Sequence, residues 1–354
     1  MSYFDLTEQL RDGYVSERLQ ELSAYYSNRL SYKEVEHLVE RVTGERLLSD
    51  QKIWQIVTTQ AMRISERITT EVKTTLAGTV GMPAINAKVD VYDAASTEIF
   101  LLDDGIQVKE QKRTRTAATP TKSSQLESTT PALRTRVNTD VVLLQTPAQT
   151  FEYICAPIDA TGAETVSLAN VVQTRLIQQY ADATTPLNVV AITDGAKAIR
   201  GRLLAIFGVA ITVILDWYHL SKKLRELMSM VARNKSEKAV HLRELFCHLW
   251  HGRVQSALEY LQTQVQARNS DKLTELVGYL EKHRPEIIDY DRRKRAGKTI
   301  GSGRIEKGVD LVIGHRQKKK GTSWRPKGSK ALAILKVIEL NQQWQQTWFP
   351  AQLA

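Results

Sequence analysis

The chain has 354 residues, of which 42% are hydrophobic and 25% charged, proportions typical of a water-soluble folded protein. This length predicts two or three domains. The longest apolar stretch, residues 203–215, is shorter than the roughly 20 residues that a membrane-spanning helix needs, so we expect no membrane role. Residues 1–5 lack a secretory signal, and Cys155 and Cys247 are too few for a disulfide framework or a four-cysteine zinc site. We therefore expect a cytoplasmic protein.

Positive charge is concentrated towards the C-terminal end. The net charge of the whole chain is +10, yet residues 282–330 alone contain 16 Lys and Arg against five Asp and Glu, a net charge of +11. A basic excess of this density favours a polyanionic partner, and DNA is the one we expect. The alternative is a solvated surface without a partner.

The first 78 residues are predicted to be helical. Ser31 and Glu34 have the spacing of a capping box, and Gly44 is suited to end the helix that they open. A second helix is predicted to begin near residue 49. Two short helices in this order resemble a helix-turn-helix, in which the second helix enters the major groove of DNA.

The outward side chains of that second helix are candidate DNA contacts. Gln51 and Gln55 lie on its polar face and would reach base edges in the major groove. The alternative is a helical bundle that packs on the main domain.

From residue 89 the hydrophobic pattern changes to a period of two, which is typical of strands. Strands are predicted at residues 89–92, 98–102, 107–112, 141–145 and 151–156. Strands at residues 187–193 and 209–215 alternate with helices at residues 163–180 and 196–207. This alternation predicts a parallel sheet, in which sites form beyond the carboxyl ends of the strands. Residues 114–132, rich in Thr, Ser, Ala and Pro, predict a mobile loop between paired strands.

The chain becomes helical again for about 70 residues after His219. Apolar residues recur at helical spacing through this block, which predicts a packed bundle and not a binding surface. A final amphipathic helix is predicted at residues 331–348.

Four acidic residues stand near the ends or starts of these elements. Asp104 and Asp194 each precede a glycine, where we expect the chain to reverse, and Asp216 ends a predicted strand. Glu306 follows a Gly-Ser-Gly run that opens a helix. Carboxylates suit Mg²⁺ or Mn²⁺, and two such ions activate the attacking oxygen and neutralise the leaving oxygen in phosphodiester cleavage. For Asp194 the alternative is a role as the N-cap of the next helix.

Together these motifs resemble a known protein family. Residues 192–196 (ITDGA), the pair Asp216 and His219, the helical block and residues 301–324 (GSGRIEKGVDLVIGHRQKKKGTSW) are similar to bacterial insertion-sequence transposases. The similarity is to the Kra-type and Mutator-like branch of the Asp-Asp-Glu class, and it extends over about residues 30–345.

The resemblance implies an α/β fold with a ribonuclease H-like catalytic domain, an all-α insertion and an N-terminal helix-turn-helix-like segment. The divisions that it implies are residues 1–78 for the DNA-binding segment, 85–219 for the first part of the core, 220–290 for the insertion, and 291–354 for the final part.

The resemblance also assigns roles to single residues. Asp104, Asp194 and Glu306 would be the catalytic carboxylates and the ligands of Mg²⁺, with Mn²⁺ as a substitute. Asp103 is the alternative to Asp104. Asp216 and His219 match a paired signature of this branch and would support the site without binding the metal.

The expected function is metal-dependent cleavage at insertion-sequence ends and strand transfer to target DNA, by a homo-oligomer on DNA. Residues in the basic segment are the candidate phosphate contacts: Arg316, Lys318, Lys319, Lys320 and Arg325. Trp324 would either stack on an unpaired base or lie in the core. The alternative function is that of a decayed or truncated transposase that binds DNA without cutting it.

Overall fold

Five strands form one mixed sheet in a computed structural model that describes residues 14–112, 135–208 and 211–350. The strands are β1 (Ile99–Lys109), β2 (Arg136–Gln145), β3 (Phe151–Ile154), β4 (Val189–Thr193) and β5 (Thr212–Leu215). They lie in the order β3-β2-β1-β4-β5, with β1 in the centre. The structure is 56% helical, so the predicted α/β class is confirmed. The predicted loop at residues 114–132 lies outside the described residues.

Helices surround this sheet. In chain order they are α1 (Glu17–Ser27), α2 (Tyr32–Thr43), α3 (Asp50–Ala77), α4 (Leu168–Gln179), α5 (Lys197–Phe207), α6 (Trp217–Val231), α7 (Lys235–Trp250), α8 (Val254–Gln264), α9 (Ser270–Lys282), α10 (Tyr290–Arg295), α11 (Gly303–Val309), α12 (His315–Gln317), α13 (Pro326–Leu340) and α14 (Trp344–Trp348). A 3₁₀ turn (Arg284–Glu286) precedes α10, and a π-helical turn (Asp310–Gly314) joins α11 to α12. In the described ranges, none of these helices combines the length and apolar character needed to cross a membrane.

The sheet has a parallel half and an antiparallel half. β4 runs parallel to β1, with Leu102 opposite Ile192, and β5 runs parallel to β4, with Thr193 opposite Leu215. β2 is antiparallel to both β1 and β3. The strand-helix-strand prediction is therefore confirmed for β1, β4 and β5.

Successive residues of the strands supply two separate cores, one on each face of the sheet. Leu102 and Ile192 belong to a core shared with the N-terminal helices, the helical insertion and the C-terminal helices. We call this side the front face. Leu101 and Ala191 belong to a second core covered by α4 and α5, which we call the back face. Because side chains alternate along a strand, Asp104 lies on the same face as Leu102.

The N-terminal helices begin and end as the capping signals predict. The Ser31 side chain accepts a hydrogen bond from the Glu34 backbone N–H at 3.2 Å, and Glu34 in turn accepts from the Ser31 N–H. Gly44 ends α2 in the left-handed conformation, with φ of 80°.

These helices pack on the rest of the protein. Val35, Ile53 and Val57 are buried in the same core as Leu332 and Ile338 of α13. A bundle packed on the main domain is therefore the arrangement found for the described part of residues 1–78.

The insertion between β5 and α11 is helical, as expected. It comprises α6 to α10 and the 3₁₀ turn. The helix predicted at residues 331–348 is instead two helices, α13 and α14. They are separated at Gln342, whose φ of 60° cannot continue a right-handed helix.

The strand predicted at residues 89–92 is wrong. Asp90 Oδ1 accepts a hydrogen bond from the Tyr92 backbone N–H at 2.9 Å, and Asp93 Oδ1 accepts from Ala95 N–H at 3.0 Å. An aspartate side chain that accepts a hydrogen bond from the backbone N–H two residues later favours a turn. Here two such turns form, and residues 89–92 do not pair with a neighbouring strand.

The reversal predicted after Asp104 is also wrong, because β1 continues through this point. A Cβ at Gly105 would lie 2.3 Å from Asp140 Oδ1 on β2. Gly105 therefore leaves space for a neighbouring side chain and does not begin a turn.

Candidate active site

Asp104 lies in β1, and Asp194 directly follows β4, the parallel neighbour of β1. The last paired residues of β1 and β4 are Leu102 and Ile192, and each aspartate stands two residues further along its own strand direction. Asp194 Oδ1 accepts a hydrogen bond from the Ala196 N–H at 2.7 Å. It closes a turn in this way and is not the N-cap of α5, which begins after Ala196 with no side-chain cap.

Glu306 reaches the same edge of the sheet from the first turn of α11. Its side chain is 43% exposed, and its Oε1 lies 3.9 Å from His219 Nε2. A Cβ on Gly308 of this helix would lie 3.3 Å from Leu143 and 3.4 Å from Tyr153. A glycine here therefore lets α11 approach β2 and β3 closely, which fixes where Glu306 stands.

Asp216 joins the start of the helical insertion to the approach of α11. The side chain is 1% exposed; Oδ1 accepts from the His219 N–H at 3.0 Å, and Oδ2 accepts from the Ser302 N–H. Burial alone would raise the pKa of this carboxyl, but the hydrogen bonds from His219 and Ser302 outweigh it and lower the pKa to about 2. Asp216 is therefore ionised at neutral pH, and each of its carboxylate oxygens accepts a hydrogen bond from a backbone N–H.

His219 stands between Asp216 and Glu306. Its Nδ1 lies 3.6 Å from Asp216 Oδ1. The Asp216 carboxylate raises the pKa of the imidazole, burial opposes this, and the charges of Asp194 and Glu306 add to the rise. The imidazole therefore keeps its proton to a higher pH than an ordinary histidine does.

The electrostatics of Asp104 place it in the same cluster. Burial raises the pKa of its carboxyl, and the negative charges of Asp194 and Glu306 raise it further. The Gly105 N–H bond at 2.7 Å and the charge of His219 act in the opposite direction. Negative charges that raise the pKa of Asp104 in this way mark a site that a cation would stabilise.

Asp103 belongs to the back face. Both of its carboxylate oxygens accept hydrogen bonds from Arg202 Nη1, and Arg202 also binds Asp140. Burial raises the pKa of Asp103 to about 7 in spite of Arg202. The alternation of β1 therefore separates the two adjacent acids, and Asp104 is the one that faces Asp194 and Glu306.

The donor set fits hard cations, since Asp104, Asp194 and Glu306 offer only oxygen atoms. A single ion bound by all three at about 2.1 Å would require these oxygens to lie within roughly 4 Å of each other. They are not among the described groups whose ligand atoms all lie within 4.8 Å. Two ions about 4 Å apart would be held by carboxylates spread over a wider distance.

One described group does meet that criterion: His251, Asp289 and Asp291. In the sequence, His251 stands close to Cys247 and His248, a grouping that could suggest a metal site. The charged, amphipathic pattern around these residues instead favours the surface of a helix. Asp289 caps α10, and Asp291 pairs with the exposed Arg295 at 2.6 Å. These contacts account for both carboxylates without a metal.

The candidate phosphate contacts divide into exposed and buried residues. Lys318, Lys319, Lys320 and Arg325 are exposed in and after the loop that follows α12. Arg316 is 5% exposed, so little of its guanidinium is open to a phosphate, and its role as a DNA contact stays a prediction. A guanidinium can be buried here because its Nε donates to the Ser27 carbonyl at 3.0 Å and its plane lies over aromatic rings.

Trp324 lies in the core, which is one of its two predicted roles. It is 9% exposed, and its Nε1–H donates to the Gln317 carbonyl at 3.0 Å. Gln51 and Gln55 are exposed on α3, as predicted.

Sequence reasoning missed a buried group beneath the second aspartate. A Cβ on Gly195 would lie 2.4 Å from the His283 ring, and His283 Nδ1 lies 2.8 Å from both Arg200 and Glu286. Gly195 has φ of 81°, which a glycine adopts without strain. No spacing in the sequence connects His283 to Asp194, because His283 lies near the end of the insertion, far along the chain from Asp194.

No protein-family model, curated protein or solved structure matches the chain.

Proposed function

We propose that this protein is a DNA transposase of the Asp-Asp-Glu class, which cuts DNA at insertion-sequence ends and joins the freed 3′-hydroxyl to target DNA. The observation that carries this proposal is the meeting of Asp104, Asp194 and Glu306 at one edge of the sheet. They come from three distant parts of the chain. A mixed sheet interrupted by a helical insertion before Glu306 is the arrangement that a ribonuclease H-like domain implies, and it supports the proposal.

The three carboxylates would hold Mg²⁺, or Mn²⁺ in its place. When bound, these ions supply an activated water or sugar hydroxyl and neutralise the leaving oxygen. Asp104 and Asp194 are fixed by the backbone of adjacent strands, so they define the part of the site that moves least. Glu306 completes the site from a helix.

Asp216 and His219 are positioning residues in this proposal. Asp216 accepts a hydrogen bond from the N–H of Ser302, the residue that directly precedes α11. It therefore sets where this helix begins, and Glu306 follows in the first turn. His219 lies beside Glu306, and its pKa is raised by the surrounding acids. When protonated, the imidazole offsets the repulsion among those acids.

DNA would be held by the exposed cations near α12. Exposed cations follow α12 on the chain segment that carries Glu306, and they are available for phosphate contacts: Lys318, Lys319, Lys320 and Arg325. Gln51 and Gln55 remain candidates for base recognition, and a homo-oligomer on DNA is the assembly we propose.

A transposase-derived protein that binds DNA without cutting it is the second candidate. The spacing of the carboxylates favours it, because their oxygens are not all within 4.8 Å of each other. The two candidates share their DNA contacts and differ only in metal-dependent cleavage.

Cleavage of a supercoiled plasmid tests the proposal. The plasmid carries the DNA that flanks the gene in its own genome, and nicking is measured with Mg²⁺, with Mn²⁺ and with a chelator. Glu306→Gln and Asp194→Asn keep side-chain volume and remove charge, so both should abolish nicking while DNA binding persists.

The matched control is Asp310→Asn, an exposed acid four residues after Glu306 whose side chain is 55% exposed. It should nick like the unmodified protein. Nicking by Glu306→Gln at the unmodified rate, or the same metal-independent rate in all variants, would instead support the non-cutting candidate.

A further inference from the structure

A groove of about 1250 Å³ lies between the N-terminal helices and the segment that follows α12. Its walls come from the starts of α2 and α3, the residues that follow β1, and residues 321–328. Sites for single small molecules usually enclose about 300–1,000 Å³. The groove is therefore large enough for a segment of an extended chain.

The groove is positively charged. Five basic side chains line it against two acidic ones, and these are Lys33, Lys112, Arg316, Arg325 and Lys327 against Asp50 and Glu110. Lys112 and Arg325 are exposed, and neither has an ion-pair partner within the described residues. Cations left without protein partners favour a ligand that carries several negative charges.

Aromatic side chains stand among these cations. Trp54 is partly exposed in the groove, with Lys327 Nζ 5.5 Å from its ring centroid. The Tyr32 hydroxyl is buried at the groove wall and makes no hydrogen bond to any described residue.

We infer that this groove binds a single strand of DNA. Basic side chains that follow a backbone, together with a ring on which a base stacks, are the combination that holds unpaired nucleic acid. Phosphates would lie on Lys112 and Arg325, and one base on Trp54. A duplex does not fit this chemistry, because its bases already stack on each other.

The inference rests on the proposed function in one respect, since it takes DNA as the polyanion. Glu110 lies six residues beyond Asp104, at the end of β1, which places the groove about 20 Å from the carboxylates along the strand. A strand that becomes unpaired at the cleavage site is therefore within reach of the groove.

Fluorescence anisotropy with full-length protein and a labelled oligothymidylate tests the charge requirement, without metal. Lys112→Glu with Arg325→Glu should weaken binding by about tenfold or more. The matched control is Lys73→Glu with Lys235→Glu, which changes net charge equally at exposed positions outside the groove. Equal weakening by both pairs overturns the inference, because binding would then depend on overall charge alone.

The base requirement is tested with an abasic strand of the same length. Trp54→Leu should weaken binding of the intact strand by about fivefold or more, and should leave binding of the abasic strand unchanged. If Trp54→Leu does not fold, the unmodified protein decides: equal affinity for intact and abasic strands overturns the inference.

This assay is independent of cleavage. Glu306→Gln should bind the intact strand as the unmodified protein does. Single-strand binding by a protein that never nicks DNA would keep the groove and remove the transposase proposal. If the protein nicks DNA and its groove variants bind the single strand as tightly as the unmodified protein, the transposase proposal stands and the groove inference falls.

Discussion

Two adjacent aspartates on β1 lie in opposite environments on the two faces of the sheet. On the front face, Asp104 faces Asp194 and Glu306, and the charges of those acids raise its pKa. On the back face, Asp103 is bound by Arg202, which also binds Asp140. Asp103 and Asp104 are the same residue type at adjacent positions, so only the face of the sheet distinguishes them. Asp104 is a candidate metal ligand, whereas Asp103 is an ion-pair partner of Arg202.

Asp104→Asn should have the largest effect. It removes a carboxylate from the front face, so we expect metal-dependent nicking to fall by about 100-fold or more. Stability should not fall, because burial and like charges already disfavour the ionised form. Plasmid nicking and urea unfolding measure the two quantities. A variant that nicks normally would remove the distinction between the faces.

Asp103→Asn should leave nicking within about threefold of the unmodified protein and change stability instead. The pKa of Asp103 is raised to about 7, so the folded state binds its proton more tightly than the unfolded chain between about pH 4 and pH 7. The carboxyl therefore lowers stability as pH rises through this window, by at most about 1.4 kcal/mol per pH unit.

The asparagine variant lacks this slope. Relative to the unmodified protein, it should gain stability from pH 4 to pH 7 in urea titrations. A difference that stays constant across the window would show that Arg202 holds Asp103 ionised throughout.

Asp216→Asn tests the link between the front face and α11. The folded pKa is lowered to about 2, so the carboxylate contributes about 2 kcal/mol of stability at pH 7. This contribution is present above about pH 4 and is lost as pH falls through about 2. The destabilisation by Asp216→Asn should therefore be about half as large at pH 3 as at pH 7. An equal loss at both pH values would assign it to packing.

The smallest effect is expected from the exposed lysines, which belong to neither face. Replacing Lys318, Lys319 and Lys320 by Ala should reduce the slope of log K for duplex DNA against log salt by up to about 3. Nicking at saturating DNA should be unchanged. An unchanged slope would place the phosphate contacts elsewhere.

Much of the front face was predictable because local patterns determine it. The apolar runs of β4 and β5 each end in an acid, and the glycines around Ser302 mark the start of the helix that carries Glu306. Side-chain alternation also predicts that Asp103 and Asp104 face opposite ways, but only the neighbours across the sheet decide which of the two meets Asp194.

The basic segment was less predictable, since charge in a sequence does not reveal distant partners. Arg293 is 0% exposed and is paired with Glu98, which lies almost 200 positions earlier in the chain. Lys298 donates to the same Glu98 carboxylate. Arg316 is buried by Ser27 and by aromatic rings. A net charge of +11 over residues 282–330 therefore overstates the charge that the surface presents to DNA.

The single carboxylate of Asp216 has a mechanical consequence. It caps α6, the first helix of the insertion, and it also holds the Ser302 N–H just before α11. The start of the helix that carries Glu306 therefore depends on the same side chain that begins the insertion. A change at Asp216 acts on both elements at once, although Asp216 lies 90 positions before Glu306 in the chain.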